Sequence, residues 1–219
     1  FHLNAKVIEV GKEGVTIEKE GKTARIEAEK VLVSVGRKAN LSQVGLDKLN
    51  IELLRNGVKV DEHMQTSHPR VYACGDITGH SMLAHTAIRE SEVAVNHILG
   101  VEDRMNYDCV PGVVYTNPEI AGVGETEESL QKRGIAYRAV KLPMAYSGRF
   151  VAENEGVNGV CKLLLGSDDT VLGAHVLGNP ASEIITLAGM AIELKLTADE
   201  WKKIVFPHPT VGEIFKEAL

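Results

Sequence analysis

The chain predicts an α/β part followed by an α+β part, and three observations carry this. Lys30–Val35 and Val71–Cys74 are short, nearly uninterrupted apolar runs ending at Gly36 and Gly75, as parallel strands buried on both faces do. Met82–Ile98 follows as a helix, with Leu83, Ala87, Ala94 and Ile98 at helical spacing and Gly100 as a stop. From Pro111 onward, strands with antiparallel-compatible turns stand apart from grouped helices, the α+β pattern.

In chain order, Ala5–Val10 and Val15–Glu20 are expected as strands around a Gly11/Gly14 turn, and Thr23–Ala28 follows Gly21. A loop of weak helical character spans Leu41–Leu49, and a short strand at Gly57–Val60 precedes the Val71 run. Met105–Val110 reads as a linker. Beyond it, strands fit Val113–Thr116, Ile120–Gly124, Ala136–Pro143, Gly159–Leu165 and Val171–Leu177. Helices fit Glu127–Arg133, with Thr126 as N-cap and Gly134 just past its end, then Pro180–Leu194, Ala198–Lys203 and Val211–Leu219. Pro180–Leu194 has almost no polar face, so it is expected to be covered on all sides, in the domain centre or at a subunit interface.

The bulk numbers exclude several function classes. A length of 219 residues supports one or two domains with cores, and 25% charged residues is ordinary for a globular protein. The net charge of −6, without a Lys/Arg cluster interleaved with aromatics, argues against nucleic acid. No apolar run approaches a membrane span, and Phe1-His2-Leu3-Asn4 reads into a strand rather than a signal peptide. Cys74, Cys109 and Cys161 are far apart in apolar contexts and lack metal-ligand or C-x-x-C spacing. They are expected as buried free thiols in a reducing, cytoplasmic compartment.

Three segments carry chemistry. In Phe206-Pro207-His208-Pro209-Thr210-Val211-Gly212-Glu213 a histidine sits between two prolines that restrict its backbone, with a carboxylate five positions later. A fixed imidazole backed by a carboxylate suits a general base. The competing reading is a capping box, in which Glu213 only caps the last helix. The run Val71–Asp76 would present the Asp76 carboxylate at a sheet's C-terminal edge, suited to a sugar or ribityl hydroxyl; the competing reading is a plain turn. The helix starting near Ser81-Met82-Leu83-Ala84-His85 offers unpaired N–H groups to an anionic ligand oxygen, such as a reduced flavin's N1–C2=O edge; otherwise it is an ordinary helix with a packing histidine.

Val31–Arg37, Val71–Asp76, Met82–His85 and His208–Glu213 together resemble the flavin-dependent pyridine nucleotide–disulfide oxidoreductases in order and spacing, along the whole chain. Met82-Leu83-Ala84-His85 is most similar to the dihydrolipoamide dehydrogenase branch. Pro111–Gly124 and Pro180–Leu194 look like that family's dimerisation domain. The family's G-x-G-x-x-G loops and C-x-x-x-x-C redox pair have no match here, so the resemblance implies a C-terminal portion of a longer enzyme. It divides the chain into 1–36, the end of an NAD-binding domain; 37–104, part of an FAD-binding domain; and 105–219, the dimerisation domain. By the same resemblance, Asp76 would bind the FAD ribityl chain and the backbone of Met82, Leu83, Ala84 and His85 would meet the flavin. Gly36 and Val7 would line the NAD site. His208 would be the acid–base catalyst, oriented by Glu213, with a cis His208–Pro209 bond.

The implied activity is reoxidation of protein-bound dihydrolipoyl groups with NAD⁺ by an FAD-dependent homodimer serving lipoyl domains of 2-oxo acid dehydrogenase complexes. The chain alone is expected to be inactive and to hold neither cofactor tightly. Another flavin-dependent disulfide reductase of the family, or a non-catalytic dimerisation module, is the alternative. Where the family often has His-Ala before the catalytic His-Pro, this chain has Phe206-Pro207.

Overall fold

A computed structural model describes residues 1–42 and 44–219. Strands β1 (Lys6–Gly11), β2 (Gly14–Lys19) and β3 (Lys22–Glu27) form an antiparallel meander, each within one residue of its expected bounds. Glu20 (φ 52°) and Gly21 (φ 74°) make the β2–β3 connection, and positive φ at both central residues is what a two-residue type I′ hairpin demands. Gly14 has no alternative, because a Cβ there would lie 2.0 Å from the Ile26 carbonyl oxygen.

The two runs expected as parallel strands are not strands. Lys30–Val35 is irregular, with Leu32, Val33 and Val35 exposed at 91, 68 and 90%. A strand exists only in a ladder, and no other segment among the described residues offers Lys30–Val35 an edge. Gly57–Val60 and Val71–Cys74 instead take part in isolated bridges, Leu53 with Val58, Val60 with Thr66 and Gln65 with Tyr72. Within the expected Leu41–Leu49 loop, Leu46–Leu49 forms a 3-10 turn, and Gln43 lies outside the described residues.

A 3-10 turn at Gly75–Thr78 leads to helix α1 (Ala84–Ile98), which starts two residues later than expected because Leu83 is still extended. Val93 and Ala94 on α1 pack with Met64 and Met105 in a small core.

The rest of the chain folds around a five-stranded antiparallel sheet. Its strands are β4 (Gly112–Val114), β5 (Ile120–Gly124), β6 (Tyr137–Pro143), β7 (Val160–Gly166) and β8 (Val171–Leu177), in the order β4-β5-β8-β7-β6. Helix α2 (Glu127–Arg133) has both expected ends: Thr126 accepts from the Ser129 N–H, and Gly134 turns left-handed at φ 66°.

Helix α4 (Ala181–Glu193) lies on β5 and β8. It buries Ala181, Ile184, Ile185, Ala188 and Ala191, and each isoleucine stabilises the fold by roughly 1.5–3 kcal/mol. Of the two places expected to cover it, the domain centre covers only one side, because Leu187, Met190 and Leu194 remain exposed on the other side of the single chain. Helix α5 (Ala198–Lys202), a 3-10 turn at Val211–Glu213 and helix α6 (Ile214–Ala218) complete the domain, and α6 packs against β6 and β7. Helix α3 (Gly148–Glu153), preceded by a 3-10 turn at Met144–Tyr146, lies where no element was expected. No helix among the described residues is long and apolar enough to cross a membrane.

Candidate functional site

The Pro-His-Pro loop and the turn after it bring His208 and Glu213 together. His208 Nδ1 lies 3.0 Å from Glu213 Oε1 and 3.2 Å from Oε2. The Thr210 backbone N–H donates to Glu213 Oε2 at 2.7 Å. One carboxylate therefore makes both contacts: it caps the Val211–Glu213 turn and holds the imidazole. The His208–Pro209 peptide is cis, as the resemblance implied.

The loop is braced from within and from outside. The Thr210 hydroxyl donates to the Pro207 carbonyl at 2.9 Å, and the Ser147 hydroxyl donates to the Thr210 carbonyl at 3.2 Å. Ser147 is only 3% exposed and also caps α3. Sequence reading missed it, because Ser147-Gly148 looks like an ordinary turn and its partner is 63 positions away.

The geometry fixes the chemistry available to His208. With Nδ1–H donating to a carboxylate, the Nε2 lone pair is left free to take a proton, and the His208 side chain is 82% exposed. Glu213 is held below the usual carboxylate range, first by the Thr210 N–H and then by the hydrogen bond to His208. Its lowered pKa means that the anion's contribution to stability is full above the unfolded-state value and is lost as pH falls through the folded value. A ¹³C titration of the Glu213 carboxyl is expected to show a midpoint below 4.5, and His208→Ala should raise it only partway, since the larger cause remains. A midpoint at or above 4.5 would contradict the bonding described.

The second cluster sits at the start of α1. Asp76 lies exposed in the Gly75–Thr78 turn. The N-cap of α1, Leu83, offers no side-chain cap, and the N–H groups of Ala84, His85 and Thr86 have no acceptor among the described residues. Met82 and Leu83 precede the helix rather than opening it. His85 Nε2–H donates to the Pro111 carbonyl at 2.8 Å, tying the helix start to the five-stranded domain. An unpaired set of donors beside an exposed carboxylate fits a ligand with an electron-rich edge and a hydroxylated chain.

Val7 is exposed in β1, and Gly36, at φ 92°, has open space where a side chain would stand. No hydrogen bond or ion pair among the described residues joins Val7 or Gly36 to the Asp76–His85 segment, or joins either group to His208–Glu213. Of the three thiols expected to be buried, only Cys161 is, Cys74 and Cys109 being half-buried, and all three are poorly suited to redox work. Burial pushes Cys161 up to about 12; burial and then Glu193 push Cys109 up to about 12; and burial raises Cys74.

Beside the Pro-His-Pro loop runs an apolar groove of about 580 Å³, lined by Leu187, Met190 and Leu194 of α4 together with Trp201 and Val205.

The model of the pyridine nucleotide-disulphide oxidoreductase dimerisation domain matches residues 110–219, and the pyridine nucleotide-disulphide oxidoreductase model matches residues 1–91. The mitochondrial dihydrolipoyl dehydrogenase of Caenorhabditis elegans is 38% identical over 225 residues, covering 100% of this chain and 46% of its own length. The dihydrolipoyl dehydrogenase of Geobacillus stearothermophilus is 38% identical over 218 residues, covering 98% of this chain and 46% of its own length. The crystal structure of LpdA from Mycobacterium tuberculosis superposes with a TM-score of 0.84 at 28% identity, over 98% of this chain and 48% of that one. The chain thus spans about half the length of the curated relatives it matches.

Proposed function

Since the chain belongs to the pyridine nucleotide-disulphide oxidoreductases, we propose that it works as the C-terminal half of an FAD-dependent dihydrolipoamide dehydrogenase, reoxidising protein-bound dihydrolipoyl groups with NAD⁺. The observation that carries this is the His208–Glu213 pair, 3.0 Å apart, with the other imidazole nitrogen free. His208 Nε2 takes the proton of a dihydrolipoyl thiol, and Glu213 stabilises the imidazolium that results. The thiolate left behind is the form that attacks a disulfide. Asp76 would hold the ribityl chain, and the start of α1 from Met82 to His85 would hold the flavin's electron-rich edge. Val7 and Gly36 would border the NAD. When bound, the flavin supplies the two-electron acceptor. Residues 1–36, 37–104 and 105–219 then divide as NAD-binding, FAD-binding and dimerisation parts.

The reading extends to partners and place. Lipoyl domains of 2-oxo acid dehydrogenase complexes are the macromolecular substrate, and the free thiols fit a reducing compartment such as the cytoplasm. A hybrid that joins this chain to the first half of the Geobacillus stearothermophilus relative tests the activity. Dihydrolipoamide-dependent NAD⁺ reduction is expected, while the 219-residue chain alone should show none even with added FAD. Turnover of a different disulfide and not of dihydrolipoamide by the hybrid would point to another branch of the family.

The chain is proposed to pair as a two-fold homodimer through residues 111–219. The exposed Leu187–Met190–Leu194 side of α4 supplies an apolar surface suited to self-pairing, and a stable interface would bury about 1,600 Å² in total. His208 then serves a site completed by the second copy. Light scattering at micromolar concentration should give twice the 23.7 kDa chain mass, and Met190→Glu should shift it toward monomer. A monomeric unsubstituted chain would defeat the proposal.

A further inference from the structure

The most unusual group outside the described site is a carboxylate in the middle of the buried face of α1. Thr86, Glu90, Val93 and Ala94 are the residues that this helix buries, and Glu90 is 0% exposed. No Lys, Arg or His among the described residues forms an ion pair with it. A buried carboxylate without a cationic partner is retained only where its oxygens are occupied. Both are: Glu90 Oε2 accepts from the Gly75 N–H at 2.5 Å, and Oε1 accepts from the Tyr107 hydroxyl at 2.7 Å.

Gly75 opens the turn that carries Asp76. It is buried, has φ 78°, and a Cβ there would stand 3.2 Å from the Ala87 methyl of α1. The turn is pinned on its other side as well, since the Thr78 hydroxyl donates to the Gly75 carbonyl at 2.9 Å. Tyr107 comes from the segment leading into the five-stranded sheet and also stacks on His80 at 5.3 Å. Glu90 therefore ties together the Asp76 turn, α1 and the connection between the two halves of the chain. An apolar side chain of similar size would fill the space and leave the Gly75 N–H buried without an acceptor.

We propose that Glu90 is the positioning residue for Asp76: through the Gly75 N–H and the Tyr107 hydroxyl it fixes the turn that aims the Asp76 carboxylate at a ribityl hydroxyl. The destination of Asp76 rests on the flavin reading above; the fixing of the turn does not.

Amide exchange in this 219-residue chain, followed by NMR without ligand, tests the fixing. Glu90→Leu should speed Gly75 N–H exchange about 10-fold or more, with the amides of Val93 and Ala174 unchanged. Glu90→Gln, which keeps an acceptor oxygen, should restore protection. Unchanged Gly75 protection in Glu90→Leu, or uniform loss across all three amides in both variants, overturns the proposal. Should Glu90→Leu not fold, a through-hydrogen-bond coupling between the Gly75 nitrogen and the Glu90 carboxyl carbon in the unsubstituted chain decides it, presence supporting the proposal and absence refuting it.

FAD fluorescence titration of the hybrid with the Geobacillus stearothermophilus half is the second arm. Glu90→Leu should weaken FAD about 10-fold and add nothing in an Asp76→Asn background, since both act through one contact. Additive losses would show that Glu90 does not act through Asp76. If Asp76→Asn leaves FAD binding unchanged while Glu90→Leu still frees the Gly75 amide, the flavin reading falls and the fixing of the turn stands.

Discussion

His208→Gln is expected to lower dihydrolipoamide oxidation by ~10²–10⁴-fold in the hybrid with the Geobacillus stearothermophilus half, the range a positioned general base contributes. Glutamine can still donate toward Glu213, so the loop should keep its shape, but it cannot take a proton. The lost step is thiol deprotonation. Reduction of a one-electron dye by NADH bypasses that step and should change little. Steady-state rates with the two substrates therefore separate loss of the base from loss of the fold. Equal losses in both reactions would mean that His208 holds structure rather than moves a proton. A Glu213→Gln variant should fall between the two, since the imidazole keeps a hydrogen-bond partner and loses the anion that stabilises its charged form.

Phe215→Ala is expected to cost about 3–5 kcal/mol of stability, the usual range for removing a fully buried aromatic side chain. Phe215 is 0% exposed and stacks on Trp201 with ring centroids 5.3 Å apart. It lies two residues past Glu213, on the helix that follows the candidate site's turn and packs against β6 and β7. Thermal denaturation should show a midpoint about 6–20 °C lower. The cost should exceed that of Ile→Val at the neighbouring Ile214, about 0.5–1.5 kcal/mol, because more volume is lost. A loss below that of the Ile214 variant would mean that the site refills by collapse.

How much was legible follows from the range of the interactions involved. Helix α2 and strands β5 and β8 have the expected bounds, since Thr126, Gly134 and the alternation around them are complete local signals. The His208–Glu213 pair was legible for the same reason, its partners being five positions apart. Lys30–Val35 reads as a strand and is not one, because a run of apolar residues says nothing about who supplies the next strand. On α4, periodicity could not tell which apolar side the sheet covers, so it did not single out Leu187, Met190 and Leu194 as the side left exposed in the single chain. Glu90 was hidden among Arg89, Ser91 and Glu92, where a carboxylate reads as part of a solvated face. Its acceptors' role emerges only when Gly75 and Tyr107, 15 and 17 positions away, fold against it. Ser147 was invisible on the same grounds.

Glu213 binds two donors with one carboxylate, the Thr210 N–H and the His208 ring. On the proposed reading, folding and proton transfer draw on the same atoms. In most enzymes an active-site residue can be exchanged for a more stabilising one at the expense of turnover. At this position that trade narrows, because a side chain that releases the imidazole also releases the Thr210 N–H at the turn before α6. A library selected only for thermal resistance, with no substrate present, would therefore tend to keep glutamate at 213, and the His208–Glu213 arrangement would be inherited as a by-product of fold maintenance.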